Sequence, residues 1–280
     1  MSDLHSLNEA INKRTGRKMA ASIAIALLLL ALIFTSITFW MAGFAAIVTI
    51  AVSLAMHELT NALKSHGIEI LSKFLILSSV TVLASVWFDG QSALQTYLPI
   101  IFLINILILL AKGPENFIAR ASASLFALIY LALLPAFIIL LARDSDGFAL
   151  ITILVLLVGL NDTFAFFTGV LIGKNKMSPT LSPRKSWEGF IGGAVFTAIG
   201  ASMAFYYLLE KPWWLGLAMG ILGSLAATAG DLIESGIKRD IGIKDMSSLL
   251  PGHGGMLDRL DSAIITAPVF WIFLELTKAI

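Results

Sequence analysis

Met19–Met56 reads MAASIAIALLLLALIFTSITFWMAGFAAIVTIAVSLAM. The run is apolar almost without interruption. It is too long for the apolar core of a secretory signal peptide and long enough for a hairpin of two membrane spans. Lys13, Arg14, Arg17 and Lys18 precede it. That order, bases and then a double span, predicts an α-helical membrane protein with its N-terminus in the cytoplasm.

The rest of the chain repeats the pattern. Of 280 residues, 58% are hydrophobic and the mean hydropathy is +0.90. Nine helical spans are expected, at about 19–37, 40–56, 70–88, 97–111, 119–142, 148–171, 189–209, 212–230 and 261–278. The fourth is short. Run length selects helices, because a barrel strand needs only about ten alternating residues to span. The fold class expected is therefore all-α and polytopic. A region of about five spans (1–145), with no legible chemistry, precedes a catalytic membrane region (146–280).

Basic residues test the count. With the N-terminus inside, the cytoplasmic segments hold all but Arg143, Lys211 and Lys278 of the 19 lysines and arginines. One span too many or too few would swap the later loops and erase that asymmetry. The C-terminus is then outside, and the polar loops 173–188 and 231–260 share the cytoplasmic face.

Charge concentrates in the second of these loops. Between Asp231 and Asp261 lie six acids (Asp231, Glu234, Asp240, Asp245, Asp258, Asp261) and four bases (Lys238, Arg239, Lys244, Arg259). Asp258 and Asp261 are three apart, so they share a helix face. With Asp231 at a neighbouring helix end they form an oxygen site suited to Mg²⁺; as a bland alternative they are interface charges paired with Arg259 and Lys238. Pro251-Gly252-His253-Gly254-Gly255 is either an ordinary turn or a nest of N–H groups for an anion. His253 either binds phosphate or caps that turn. Lys238, Arg239 and Lys244 either anchor the cytoplasmic face or hold phosphate oxygens. Asp231, Ser235 and Lys238 share a face if their helix continues beyond the membrane.

In the other loop, Ser182-Pro183 reads as a helix cap followed by a first-turn proline. Arg184 and Lys185 would then sit at a helix start that suits phosphate. Trp187 is an interfacial anchor or a stacking surface for a base. Asp162 is the one charge of the sixth span, either functional or bonded to Asn161 or to a lysine of another helix. There is no cysteine, and the histidines at 5, 57, 66 and 253 lack metalloprotease spacing, which argues against a zinc site.

These residues resemble the phosphatidate cytidylyltransferase family, the CDP-diacylglycerol synthases. The match runs through Ser235, Ile237, Lys238-Arg239, Lys244-Asp245, Ser247, Leu250, Pro251, His253-Gly254-Gly255, Met256, Asp258-Arg259, Leu260 and Asp261. Every constrained position is filled across 27 residues. Upstream, Asp162, Ala165-Phe166, Gly173-Lys174, Ser182-Pro183, Lys185 and Trp187-Glu188-Gly189 are also similar. Phe166 and Ser186 stand where the family has tyrosine and threonine. The first change removes a hydroxyl. About 120 residues are covered.

The resemblance implies transfer of CMP from CTP to phosphatidate with release of pyrophosphate. It implies Mg²⁺, alone or together with K⁺, an enzyme that can be a homodimer, and a bacterial cytoplasmic (inner) membrane. No nucleic-acid partner is expected. Expected catalytic groups are Asp231, Lys238, Arg239, Lys244, Asp258 and Asp261, with Asp231, Asp258 and Asp261 as metal ligands. Expected substrate contacts are Asp162, Lys174, Ser182, Lys185, Ser235, His253, Gly254, Gly255 and Arg259. Two alternatives compete. The same chemistry on another lipid phosphate, such as an ether lipid, leaves the same signature. A transporter would put its acids near the midplane between repeats, whereas here they cluster at one edge and no repeat is evident.

Overall fold

The computed structural model describes residues 19–247 and 254–278. Lys13, Arg14, Arg17, Lys18, Pro251, Gly252 and His253 lie outside the described residues. Within them are nine helical segments: α1 Met19–Phe39, α2 Met41–Ser65, α3 Ser72–Asp89, α4 Ser92–Ala111, α5 Phe117–Arg143, α6 Gly147–Ile172, α7 Trp187–Leu208, α8 Trp213–Asp240 and α9 Leu257–Leu276. Each overlaps one expected span, and α2 runs nine residues past its expected end at 56, to Ser65. Seven of them, α2 to α8, are long and apolar enough to cross a membrane.

The departures from expectation are local. α4 begins five residues earlier than expected, with Pro99 inside it. α5 contains a π-helical turn, Ile129–Leu133, just before Pro135. Proline lacks the N–H that would continue the ladder, and a π turn absorbs the mismatch. α8 runs ten residues past the expected membrane boundary, to Asp240.

The fold is not purely helical. Lys176–Ser178 (β1) and Ser182–Ser186 (β2) form an antiparallel hairpin, pairing Lys176 with Ser186 and Ser178 with Ser182. This corrects the helix start expected at Ser182-Pro183. The helix begins instead at Trp187, where the Ser186 hydroxyl accepts the Gly189 N–H at 3.2 Å. Pro183 is tolerated because β2 has one neighbour and an open edge. Glu188 closes the loop, accepting the backbone N–H of Lys174 (3.1 Å) and the Asn175 amide (2.7 Å).

The helices that carry the polar loops pack through small residues. A Cβ on Gly216 would lie 2.4 Å from the Ala201 carbonyl, and one on Gly220 would lie 2.4 Å from Ala198 Cα. α8 therefore touches α7 backbone to backbone, a common solution where lipid supplies no hydrophobic drive between helices. α9 packs against α8 on one side and α5 and α2 on the other, so it joins the two halves of the chain. Buried Val52, Met56, Leu59, Leu75, Leu131, Ile139 and Phe270 fill that junction.

Candidate active site

The C-terminal end of α8 is the frame of the site. Because the helix continues to Asp240, Asp231, Glu234, Ser235 and Lys238 line up along it at spacings of three and four. Gly230 sets the distance to α9: a Cβ there would lie 2.4 Å from the Asp261 carbonyl oxygen and 2.9 Å from Ser262 Cα. The Ser262 hydroxyl donates to the Ala227 carbonyl across the same seam at 3.1 Å. This close approach carries Asp261 to Asp231.

Asp231, Glu234 and Asp261 each place a carboxylate oxygen within 4.8 Å of the other two. Glu234 is 1% exposed, and its Oε1 is buried without a hydrogen-bond partner. Leaving such an atom unsatisfied is costly, so its position argues for a ligand. Three carboxylates offer oxygens alone, a donor set for a hard divalent cation.

Two lysines stand around the trio. Lys185, from β2, brings its Nζ to 2.6 Å from Asp231 Oδ2. Lys238 bridges Glu234 and Asp258, with Asp258 Oδ1 at 2.7 Å. Four carboxylates meet two ammonium groups here.

Asp258, at the start of α9, has partners of its own. Its Oδ1 pairs with Lys238, and its Oδ2 accepts the backbone N–H groups of Gly255 (2.7 Å) and Met246 (3.1 Å). Glu234, not Asp258, completes the close trio. Asp258 instead ties the first turn of α9 to the end of α8.

Of the glycine turn, Gly254 and Gly255 are among the described residues. The Gly255 N–H is spent on Asp258, and the Met256 and Leu257 N–H groups both go to Glu58, each at 2.9 Å. Gly254 has φ +80°, the left-handed conformation that glycine adopts freely.

A cleft of about 730 Å³ opens over these groups. α6 contributes Asp162, Phe166 and Val170; the hairpin contributes Lys176, Ser182, Arg184 and Lys185; α8 and α9 contribute the acids, Lys238 and Arg259. Asp162 accepts from the Asn161 amide at 3.3 Å. Asn161 is itself fixed by the Ser224 hydroxyl at 2.5 Å, so α6 is registered against α8 beside the cleft. The cleft thus has an acidic floor, a basic rim and an apolar flank on α6.

A family model described as the cytidylyltransferase family matches residues 17–277. The chain belongs to the cytidylyltransferase family. Curated relatives agree across nearly its whole length. The phosphatidate cytidylyltransferase of Mycobacterium bovis is 33% identical over 94% of this chain and 90% of its own. That of Mycobacterium tuberculosis is also 33% identical, over 94% of this chain and 84% of its own. That of Staphylococcus haemolyticus is 34% identical over 79% and 85%. With its seven span-capable helices, this cytidylyltransferase is an integral, multi-pass membrane protein.

In this cytidylyltransferase the expected residues fall into two groups. Asp162, Ser182, Lys185, Asp231, Lys238, Asp258, Arg259 and Asp261 line the cleft. The other described residues stand back from it. Ser235 is buried and donates to Asp231 Oδ1 at 3.4 Å. Arg239 donates to the Leu181 carbonyl at 3.2 Å, holding the hairpin tip against α8. Lys244 is exposed, and Lys174 engages Glu188 through its backbone. Gly254 and Gly255 shape the α9 start.

Two acids escaped the reading of the sequence. Glu234 was counted among the acids, but only the continuation of α8 turns it toward Asp231. Glu58 lies in a half whose chemistry was not legible. It follows the expected 40–56 span, in the polar stretch His57–His66, and only the continuation of α2 to Ser65 carries it into the packed helix.

Proposed function

We propose that this protein transfers CMP from CTP to phosphatidate, forming CDP-diacylglycerol and releasing pyrophosphate. The observation that carries this reading is the carboxylate trio of Asp231, Glu234 and Asp261 under a basic hairpin, in one cleft. The family membership and the names of the relatives support it.

The acceptor, a phosphate monoester, is already ionised near neutral pH. Its oxygen attacks the α-phosphorus of CTP, a new P–O bond forms, and the bond to the β-phosphate breaks with pyrophosphate as the leaving group. No strong base is needed, so the site's work is positioning and charge compensation. Mg²⁺ suits the oxygen donors and the orphaned Glu234 Oε1; Asp231, Glu234 and Asp261 would hold it. When bound it would offset charge on the triphosphate. Lys185, Arg184, Lys176 and Arg259 line the rim where further phosphate oxygens would lie. Lys185 and Lys238 hold the acids in place. Every group named belongs to one chain.

The topology that fits has nine spans, the N-terminus and both polar loops in the cytoplasm, and the C-terminus outside. In a bacterial inner membrane this puts the cleft where soluble CTP meets lipid headgroups. The apolar α6 flank, with Phe166 and Val170, would face the acyl chains.

The test uses purified protein, labelled CTP and a panel of diacyl and ether-lipid phosphates. Mg²⁺-dependent label in a CDP-lipid, with phosphatidate the best acceptor, supports the reading. Preference for an ether lipid would reassign the substrate, and no labelled lipid with any acceptor would refute the activity.

A further inference from the structure

Glu58 sits in α2, far from the charged motif in the chain, yet it is only 6% exposed. It takes three hydrogen bonds from the motif's own segment: Ser247 Oγ at 2.5 Å, Met256 N–H at 2.9 Å and Leu257 N–H at 2.9 Å. The last two are among the unpaired N–H groups at the start of α9. A carboxylate there satisfies them and meets the favourable end of the helix dipole. Charge-assisted bonds of this kind are the strong ones.

The arrangement also explains Gly255. A Cβ at that position would lie 2.6 and 2.8 Å from the two Glu58 oxygens. The glycine leaves room for a carboxylate supplied by another helix. Asp258 closes the same turn from the other side, through Gly255 N–H. The start of α9 is thus held between Glu58 and Asp258, and Asp261 lies one turn further on.

We propose that Glu58 is a positioning residue for the transfer site. By capping α9 from the first half of the chain, it fixes where Asp261 stands relative to Asp231 and Glu234. The inference rests on the proposed metal-dependent transfer, and it gives the first half a role in the chemistry. Groups that orient metal-binding residues without touching the metal typically change affinity or activity by about 10–100-fold when removed.

The experiment compares wild type with Glu58→Gln and Gly255→Ala in detergent. Mn²⁺ binding is read from loss of the free-ion EPR signal, and kcat and the Mg²⁺ concentration for half-maximal rate are measured per folded enzyme. Glu58→Gln keeps the size but turns an amide donor against N–H donors; Gly255→Ala crowds an intact Glu58. Each variant is expected to bind Mn²⁺ about tenfold more weakly and to need correspondingly more Mg²⁺. Glu58→Asp, which keeps the charge, should recover part of the loss. Wild-type Mn²⁺ affinity in either folded variant overturns the proposal, even if expression falls. If Glu58→Gln does not fold, Gly255→Ala decides alone by the same readout. A wild type that binds Mn²⁺ but transfers no CMP would overturn the transfer reading and leave the positioning role standing on the binding result.

Discussion

The ammonium of Lys185 lies 2.6 Å from Asp231 Oδ2, joining the hairpin to α8 across the mouth of the cleft. The two residues come from different polar loops, and their pairing is what makes the loops one site. The pair is partly exposed, so it adds little to stability. Lys185→Ala should therefore leave the melting temperature nearly unchanged and lower kcat/KM for CTP by roughly 10²-fold, as expected for a positioned cation on a phosphoryl group. Lys185→Arg should retain part of the rate. Steady-state kinetics at saturating phosphatidate check this, and an unaffected Lys185→Ala removes the residue from the site.

Glu234→Gln separates the observed trio from the one expected from the sequence. Losing a ligand should weaken Mn²⁺ binding at least tenfold while the helix bundle stays folded. Asp258→Asn should act differently, because Asp258 closes the α9 turn as well as sharing Lys238 with Glu234. Setting an amide against the Gly255 and Met246 N–H groups costs about 1–3 kcal/mol, so a melting temperature below that of Glu234→Gln should accompany any loss of activity. Titration of Mn²⁺ with parallel thermal melts distinguishes the two. Equal melting losses would make Glu234 a structural acid.

Gly230→Ala should push α9 away from α8, since its Cβ would meet the Asp261 carbonyl at 2.4 Å. Overpacking of this kind costs about 1–3 kcal/mol, and the displaced Asp261 should lower activity in the surviving protein. Gly236→Ala is the control. Nothing lies within 4 Å of its Cβ, and alanine is favoured in a helix by about 1 kcal/mol. Melting temperatures that fail to separate the two variants would contradict the close α8–α9 contact.

Asp162→Asn should reduce activity more than expression. Asp162 lines the cleft and accepts a hydrogen bond from Asn161, which Ser224 holds in place. Yield after membrane extraction and turnover per folded enzyme are the two readings. A larger drop in yield than in turnover would make Asp162 a packing residue.

A reporter fused after Ile280 should be active only outside the cytoplasm. One inserted between β1 and β2 should be accessible only from the cytoplasmic side. Signals from the same side would remove one span from the proposed topology.

The nine helical runs were legible in the sequence because spanning a bilayer is a one-dimensional requirement. Length and apolarity are read along the chain, and each of helices α1 to α9 overlaps a predicted run, seven of them long and apolar enough to span. The charged motif between Asp231 and Asp261 was legible too, because residues needed for one chemistry sit close together in it. The hairpin was not: Ser182-Pro183 satisfies the rules for a helix start, and only pairing of β2 with β1, plus the Ser186 cap, decides against it. Nor was the choice among acids. Asp258 and Asp261 share a helix face in any reading, but whether an oxygen reaches Asp231 depends on Gly230 letting α9 approach and on Lys238 drawing Asp258 aside. Glu58 is the clearest case. In the sequence it is one charge in the polar stretch after the second apolar run, remote from everything it touches. Helix packing brings it to the N–H groups that α9 cannot satisfy by itself, and that need exists only once the helix has formed.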